Sequence, residues 1–269
     1  MSCCFPSQSR TAFPTEDTDV VNKVQESFPG AVKSSTLATH VQTVLSKHGY
    51  QDKTTLVATS LCCDEVNREL ELDITDIYNS NFSMGGLAGF AFGGVTSFGA
   101  MAHHIPKNGS CLVVYGPHVG VDRDGAVGKV NRRGREGSGA CCGSAAAACG
   151  YVKGVHGGEE KAEMPEDALD VQQFFVGNML LPEAERIVTS ADADVELPLA
   201  LFDVQDKFMK TIVSKGCGEV AGEGKIAILG GIQINTPTGT SEYFLPKVFE
   251  IRNNKGEKIA DLMESFSYL

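Results

Sequence analysis

TTLVATSLCCDEVNR, residues 54–68, is the stretch on which the fold turns. Its first seven residues are short and β-branched, which predicts a buried strand. They run directly into two thiols, two carboxylates and a guanidinium. A second apolar run, CLVVY at 111–115, ends in Gly116-Pro117-His118-Val119-Gly120. Open α/β sheets place their polar chemistry at the carboxyl ends of strands. Two strands that both finish in Cys or His residues fit a mainly parallel sheet with a site along one edge.

Helical patterns flank these strands. Leu37, Val41, Val44 and Leu45 fall on one face of a helix over 35–48, with Ser34 or Ser35 as its cap and Gly49 after its last turn. Residues 141–149, CCGSAAAAC, are small and helix-forming. Helical spacing returns at 165–181 and 183–190, split by Pro182, and at 196–215, where Gly216 stops it. The apolar run IAILGGIQI (226–234) and residues 243–252 predict strands, and the turn at Asn253-Asn254-Lys255-Gly256 predicts an added C-terminal antiparallel hairpin. Residues 1–30 are polar, with three prolines, and read as a flexible or loosely docked arm. Residues 31–269 then form a single catalytic α/β domain, a mainly parallel central sheet flanked by helices.

Composition narrows the function. The chain has 269 residues, 42% of them apolar, enough for a core and too many for general disorder. Its 23 basic against 34 acidic residues give a net charge of −11, which argues against nucleic acid as a partner. Residues 84–102 carry no charge, but their glycines make a weak transmembrane segment, so a packed loop or helix in a soluble core is expected and no membrane span. The start has no apolar signal region, and nine cysteines, with Cys62-Cys63 and Cys141-Cys142 among the adjacent pairs, suit metal or redox chemistry in a reducing compartment better than cross-links.

Three segments carry candidate chemistry. Cys62, Asp64 and Arg68 follow the first strand and could surround a metal-activated water; two buried cysteines beside a helix start are the plainer reading. His118 follows the second strand, between glycines. Cys141-Cys142 open a small-residue helix, whose N-terminus favours the thiolate that metals require. Two cysteines and a histidine complete three corners of a tetrahedron, and a catalytic zinc keeps the fourth for water. His103 and His104 are rivals for the histidine, or proton shuttles. The GGLAGFAFGG run (85–94) lacks a dinucleotide fingerprint and reads as close backbone packing, with Phe90, Phe92 and Phe98 as apolar wall. The basic tract Asn131-Arg132-Arg133-Gly134-Arg135 reads as a solvated loop.

SLCCDEVNRELE (60–71), GGLAGFAFGGVTSFGAMAHHIP (85–106), VVYGPHVGV (113–121), ACCGSAAAA (140–148) and ILGGIQINTP (228–237) together resemble the limiting-CO2-inducible protein B family of algae. Its active members are counted as theta-type carbonic anhydrases with a fold like the beta-type enzymes. The beta-type motifs are Cys-x-Asp-x-Arg and His-x-x-Cys-Gly. Cys62 and Asp64 match the first; its arginine departs, since Arg68 lies four residues after Asp64, a spacing that still shares a helical face. His118 takes the histidine position of the second. Its cysteine arrives only after the charged insertion, and the Cys-Gly pair favours Cys142 over Cys141. The resemblance thus implies Zn2+ on Cys62, His118 and Cys142, with Asp64 orienting a metal-activated water and Arg68 keeping Asp64 ionised. It further implies CO2 and bicarbonate as ligands, a homodimer, and a plastid stroma or the cytoplasm as compartment. A catalytically silent CO2- or bicarbonate-binding scaffold, and a thiol redox sensor, are the other readings.

Overall fold

The computed structural model describes residues 17–164 and 169–269. In chain order the elements are α1 (Thr18–Ser27), β1 (Val32–Lys33), α2 (Ser34–Ser46), β2 (Thr55–Ser60), α3 (Glu69–Tyr78) and β3 (Phe82–Ser83). Next come α4 (Gly94–His103), β4 (Ser110–Tyr115), β5 (His118–Gly120), β6 (Lys129–Val130), β7 (Gly139–Ala140) and α5 (Gly143–His156). The chain ends with α6 (Val171–Leu180), α7 (Ala184–Thr189), α8 (Ala193–Gly216), β8 (Lys225–Asn235), β9 (Tyr243–Asn253) and β10 (Lys258–Asp261).

The central sheet runs β1-β9-β8-β4-β2-β3, with β5 continuing along β8 and β10 pairing β9. The contacts β3–β2, β2–β4, β4–β8 and β5–β8 are parallel. Those that β9 makes with β8, β1 and β10 are antiparallel, which is the C-terminal addition the turn residues predict. The inner strands are apolar on both faces because helices cover both. Val57, Leu112, Val114 and Leu229 pack with Leu37, Val41, Leu70 and Ile74 of α2 and α3. Their neighbours Leu56, Ala58, Val113 and Ile228 pack with Phe98 and Met101 of α4 and Met209 and Ile212 of α8. This alternation is the two-residue period of the strand written into one sequence. A third cluster, built from α5, α6, α7 and the start of α8, closes over Cys62 and Phe90.

Several expectations change. Residues 1–16 of the expected arm lie outside the described residues. The rest is not loose: Asp17 caps α1, and Val20, Val24 and Phe28, one helical face, are buried in the core. The helix expected over 165–181 begins at Val171, residues 165–168 being outside the described set. The last helix starts at Ala193, because Asp192 caps it and Pro198 is tolerated within it. Residues 84–102 become a single 3-10 turn, Leu87–Gly89, and then α4. Among the described residues no helix is long and apolar enough to cross a membrane. Phe98 belongs to the core under α4 rather than to the site wall.

Candidate metal centre

Strand β2 delivers Cys62 two residues past its end. Tyr115 ends β4, and the chain bends at Gly116 before β5 resumes along β8. Gly116 has φ of 153°, and a Cβ there would overlap the Gly231 carbonyl, so the bend requires glycine. The bend lets His118 open β5, with its Cα paired to Gln233. Asn235, two residues along β8, then presents its side chain to the same face. Cys142 is the N-cap of α5. Gly89 (φ 86°) packs its backbone against Gly116 and the Cys62 amide, and its carbonyl accepts a 2.8 Å hydrogen bond from Ser60 Oγ. The glycine-rich run therefore does what its composition predicts and lets backbones meet beside the site.

These elements bring Cys62, His118 and Cys142 together. One ligand atom from each lies within 4.8 Å of the others, and all three residues are buried. The two sulfurs are 3.9 Å apart. Two thiolates bonded at ~2.3 Å to one tetrahedral zinc would stand ~3.8 Å apart. His118 Nδ1 contacts Asn235 Oδ1 at 2.8 Å, whereas its Nε2 is buried without a hydrogen-bond partner among the described residues. A buried nitrogen with no partner, beside two thiols, is a donor set that fits a Cys2His zinc with one open corner. The Cys142 thiol's hydrogen bond, opposed by burial and aided by His118, brings Cys62 down to about 4. Donation to that thiolate, together with burial, pushes Cys142 up. Burial alone would lower His118, but Cys141, Cys142 and Cys62 raise it well above an ordinary histidine.

Cys141 takes another place. Its sulfur lies 3.5 Å from His118 Nδ1 and 3.4 Å from Asn235 Oδ1, on the nitrogen that Asn235 already engages. His103 pairs with Glu219 on the surface and His104 stacks edge-on to Phe82, so neither joins the group.

Asp64 is held by an arginine, but not the expected one. Arg132 Nη1 and Nη2 donate to its two oxygens at 3.0 and 3.1 Å. Arg132 also reaches Glu65 and the Cys141 carbonyl, the latter at 2.7 Å. Arg68, expected to keep the Asp64 carboxylate ionised, instead donates to Glu71 at 2.6 Å, to the Asp64 main-chain carbonyl at 3.3 Å and to the Cys62 carbonyl. The expected i, i+4 geometry fails because α3 begins only at Glu69, so Asp64 lies outside the helix. Burial would raise Asp64, but the Arg132 guanidinium outweighs it and holds the carboxyl at about 2. The tract expected as a solvated loop thus supplies the partner of Asp64. Its sequence signal was a cluster of arginines between His118 and Cys142 in a chain short of basic residues. Asn235 gave no signal beyond its place at the end of an apolar strand.

Ala88 and Phe90 share a buried cluster with Cys62 and Cys142, and Leu87 and Phe92 pack on it. A cavity of about 310 Å³ adjoins His118, Cys141 and Cys142, walled by Ala145, Cys149, Leu197 and Leu201.

A mainly parallel sheet whose strand ends gather a buried Cys/His/Cys group beside an arginine-held aspartate defines a β-carbonic-anhydrase-like protein. Residues 31–253 match the family of limiting CO2-inducible proteins B/C, described as β carbonic anhydrases, and the chain belongs to that family. It is similar to the crystal structure of PtLCIB4, a homolog of the limiting CO2-inducible protein LCIB, at 46% identity and a TM-score of 0.86, covering 90% of this chain and 100% of that one. A single-substitution mutant of PtLCIB4 superposes with a TM-score of 0.79 at 43% identity over 91% of this chain and 100% of that one. LCIB itself shares the fold at 21% identity and a TM-score of 0.67, over 88% of this chain and 96% of that one. No curated protein matches the chain.

Proposed function

We propose that this protein is a zinc-dependent carbonic anhydrase that interconverts CO2 and bicarbonate in an inorganic-carbon-concentrating role. The observation that carries this reading is the convergence of Cys62, His118 and Cys142 next to an Asp64 clamped by Arg132. Those three residues would hold zinc, and zinc supplies Lewis acidity that activates a water, as in carbonic anhydrases generally. Asp64, kept ionised, offers acceptors only. A hydroxyl beside it must point its hydrogen at the carboxylate, which turns an oxygen lone pair towards the CO2 carbon. Attack forms the C–O bond, CO2 and water give bicarbonate, and one proton leaves to buffer. Arg132 fixes the angle of Asp64 through two parallel hydrogen bonds. Ala145, Cys149, Leu197 and Leu201 line the cavity beside His118 and Cys142, an apolar wall suited to a substrate with no dipole. Two thiolate ligands offset most of a dication's charge, so activity should climb from neutral to alkaline pH.

The test is oxygen-isotope exchange between CO2 and water on zinc-loaded protein, with metal counted by mass spectrometry. One zinc per chain and exchange above background are expected, with both lost in Cys62→Ser. Zinc binding without exchange would leave a silent scaffold. Full zinc and full exchange in Cys62→Ser would remove Cys62 from the site. The family also implies a homodimer, which sedimentation equilibrium would register as twice the chain mass.

A further inference from the structure

Asn235 lies fully buried where three parts of the molecule meet. Its Nδ2 donates to the Val66 carbonyl at 3.0 Å, in the loop that carries Cys62 and Asp64. The same nitrogen reaches Glu242 Oε1 at 3.1 Å, just before β9. Its Oδ1 meets His118 Nδ1 at 2.8 Å and takes the Cys141 thiol at 3.4 Å.

This pattern fixes the amide's direction. Rotated by half a turn, Asn235 would set its oxygen against the Val66 carbonyl and its NH2 against the Cys141 thiol and the ring nitrogen. The first contact sets acceptor against acceptor and leaves the Val66 carbonyl without its donor, and a buried polar group missing its partner costs about 1–3 kcal/mol. With the oxygen locked towards the ring, His118 Nδ1 must be the donor, and in the neutral imidazole the lone pair then sits on Nε2.

We infer that Asn235, locked by Val66 and Glu242, is a positioning residue that sets the tautomer and ring angle of His118 and leaves Nε2 to bind a cation. The inference rests on the metal-site reading above. Hydrogen bonds to the non-coordinating ring nitrogen orient metal-binding histidines, and their loss typically weakens metal binding about 10–100-fold. Glu242 acts one step further back, since its acceptor oxygen holds the Asn235 NH2. Burial and the charges of Glu69 and Asp73 push the Glu242 carboxyl up to about 8, against the Asn235 hydrogen bond and His118. Its acceptor oxygen serves Asn235 in either protonation state.

The experiment measures zinc affinity of the full chain by competition with a chromophoric chelator, and the visible absorption of the Co2+-substituted protein. Variants are Asn235→Ala, Glu242→Ala, Glu242→Gln and Cys62→Ser. Asn235→Ala should weaken zinc about 10–100-fold and shift the cobalt bands, with Glu242→Ala changing both in the same sense but less. Glu242→Gln keeps an acceptor oxygen and should restore wild-type affinity and bands. If Asn235→Ala lowers only the melting temperature and leaves affinity and bands as in wild type, the inference fails. If it does not fold, wild-type affinity and bands in Glu242→Ala overturn it instead. Wild-type affinity in Cys62→Ser would show that the metal-site reading, rather than the positioning role, is at fault.

Discussion

Arg132 grips Asp64 through both carboxylate oxygens, while Arg68 braces the preceding loop through Glu71 and two main-chain carbonyls. The two arginines should therefore fail differently. Arg132→Ala frees Asp64 to turn, and kcat for CO2 hydration should fall about 10²-fold, the scale of a misplaced reacting group. Arg68→Ala should cost roughly 1–3 kcal/mol of stability, because it strips partners from Glu71 and from the Cys62 carbonyl, with a smaller loss of kcat. Stopped-flow hydration assays and urea titration separate the two. Asp64 also has an acid signature. Its carboxyl lies at about 2 in the folded chain against an ordinary 3.8. Its contribution to stability is present above about 3.8 and is lost as pH falls through about 2. Asp64→Asn should flatten acid unfolding in that window, and an unchanged acid limb would contradict the pairing. The thiols and His118 were legible because each sits at the end or start of an element. Arg132 was not, since its partner lies 68 positions away and no local pattern records such a pair.

Element geometry depends on a few backbone positions. At Gly116 any side chain meets the Gly231 carbonyl, and φ of 153° disfavours an L-residue besides. Gly116→Ala should lose at least about 1–2 kcal/mol from the backbone conformation alone. The loss should be visible as a lower urea midpoint, with weaker metal retention because β5 carries His118. An alanine variant with wild-type midpoint would mean that β4 and β5 do not need this bend. Strands β2, β4, β8 and β9 were readable from apolar runs and turn residues, because two-sided burial leaves little ambiguity. Helix α1 was not: its face is only Val20, Val24 and Phe28 in a polar stretch, and tertiary packing rather than propensity decides it.

At the scale of the whole molecule, titration and metal binding both bear on stability. Glu242 is raised to about 8 from an ordinary 4.5, chiefly by burial. The folded chain holds that proton more tightly than the unfolded one. Its contribution is full below about 4.5 and disappears as pH rises through about 8. Glu242→Gln should therefore reduce the decline in unfolding free energy between about pH 5 and 8, and an undiminished slope would contradict the shift. Zinc that binds only the folded chain should raise the melting temperature with its concentration and lose that effect on chelation, following ordinary mass action.

The bond from Asn235 to Val66 spans 169 positions, and that from Cys62 to Cys142 spans 80. Contacts so distant along the chain are slow to form, because the long loop between them must close first. During synthesis the cysteines near the beginning emerge long before β8 does, and they must wait for most of the polypeptide to arrive. If zinc binds as proposed, a nascent chain that stops short of Asn235 should be unable to capture it tightly, and metal loading would then follow the completed sheet rather than guide it.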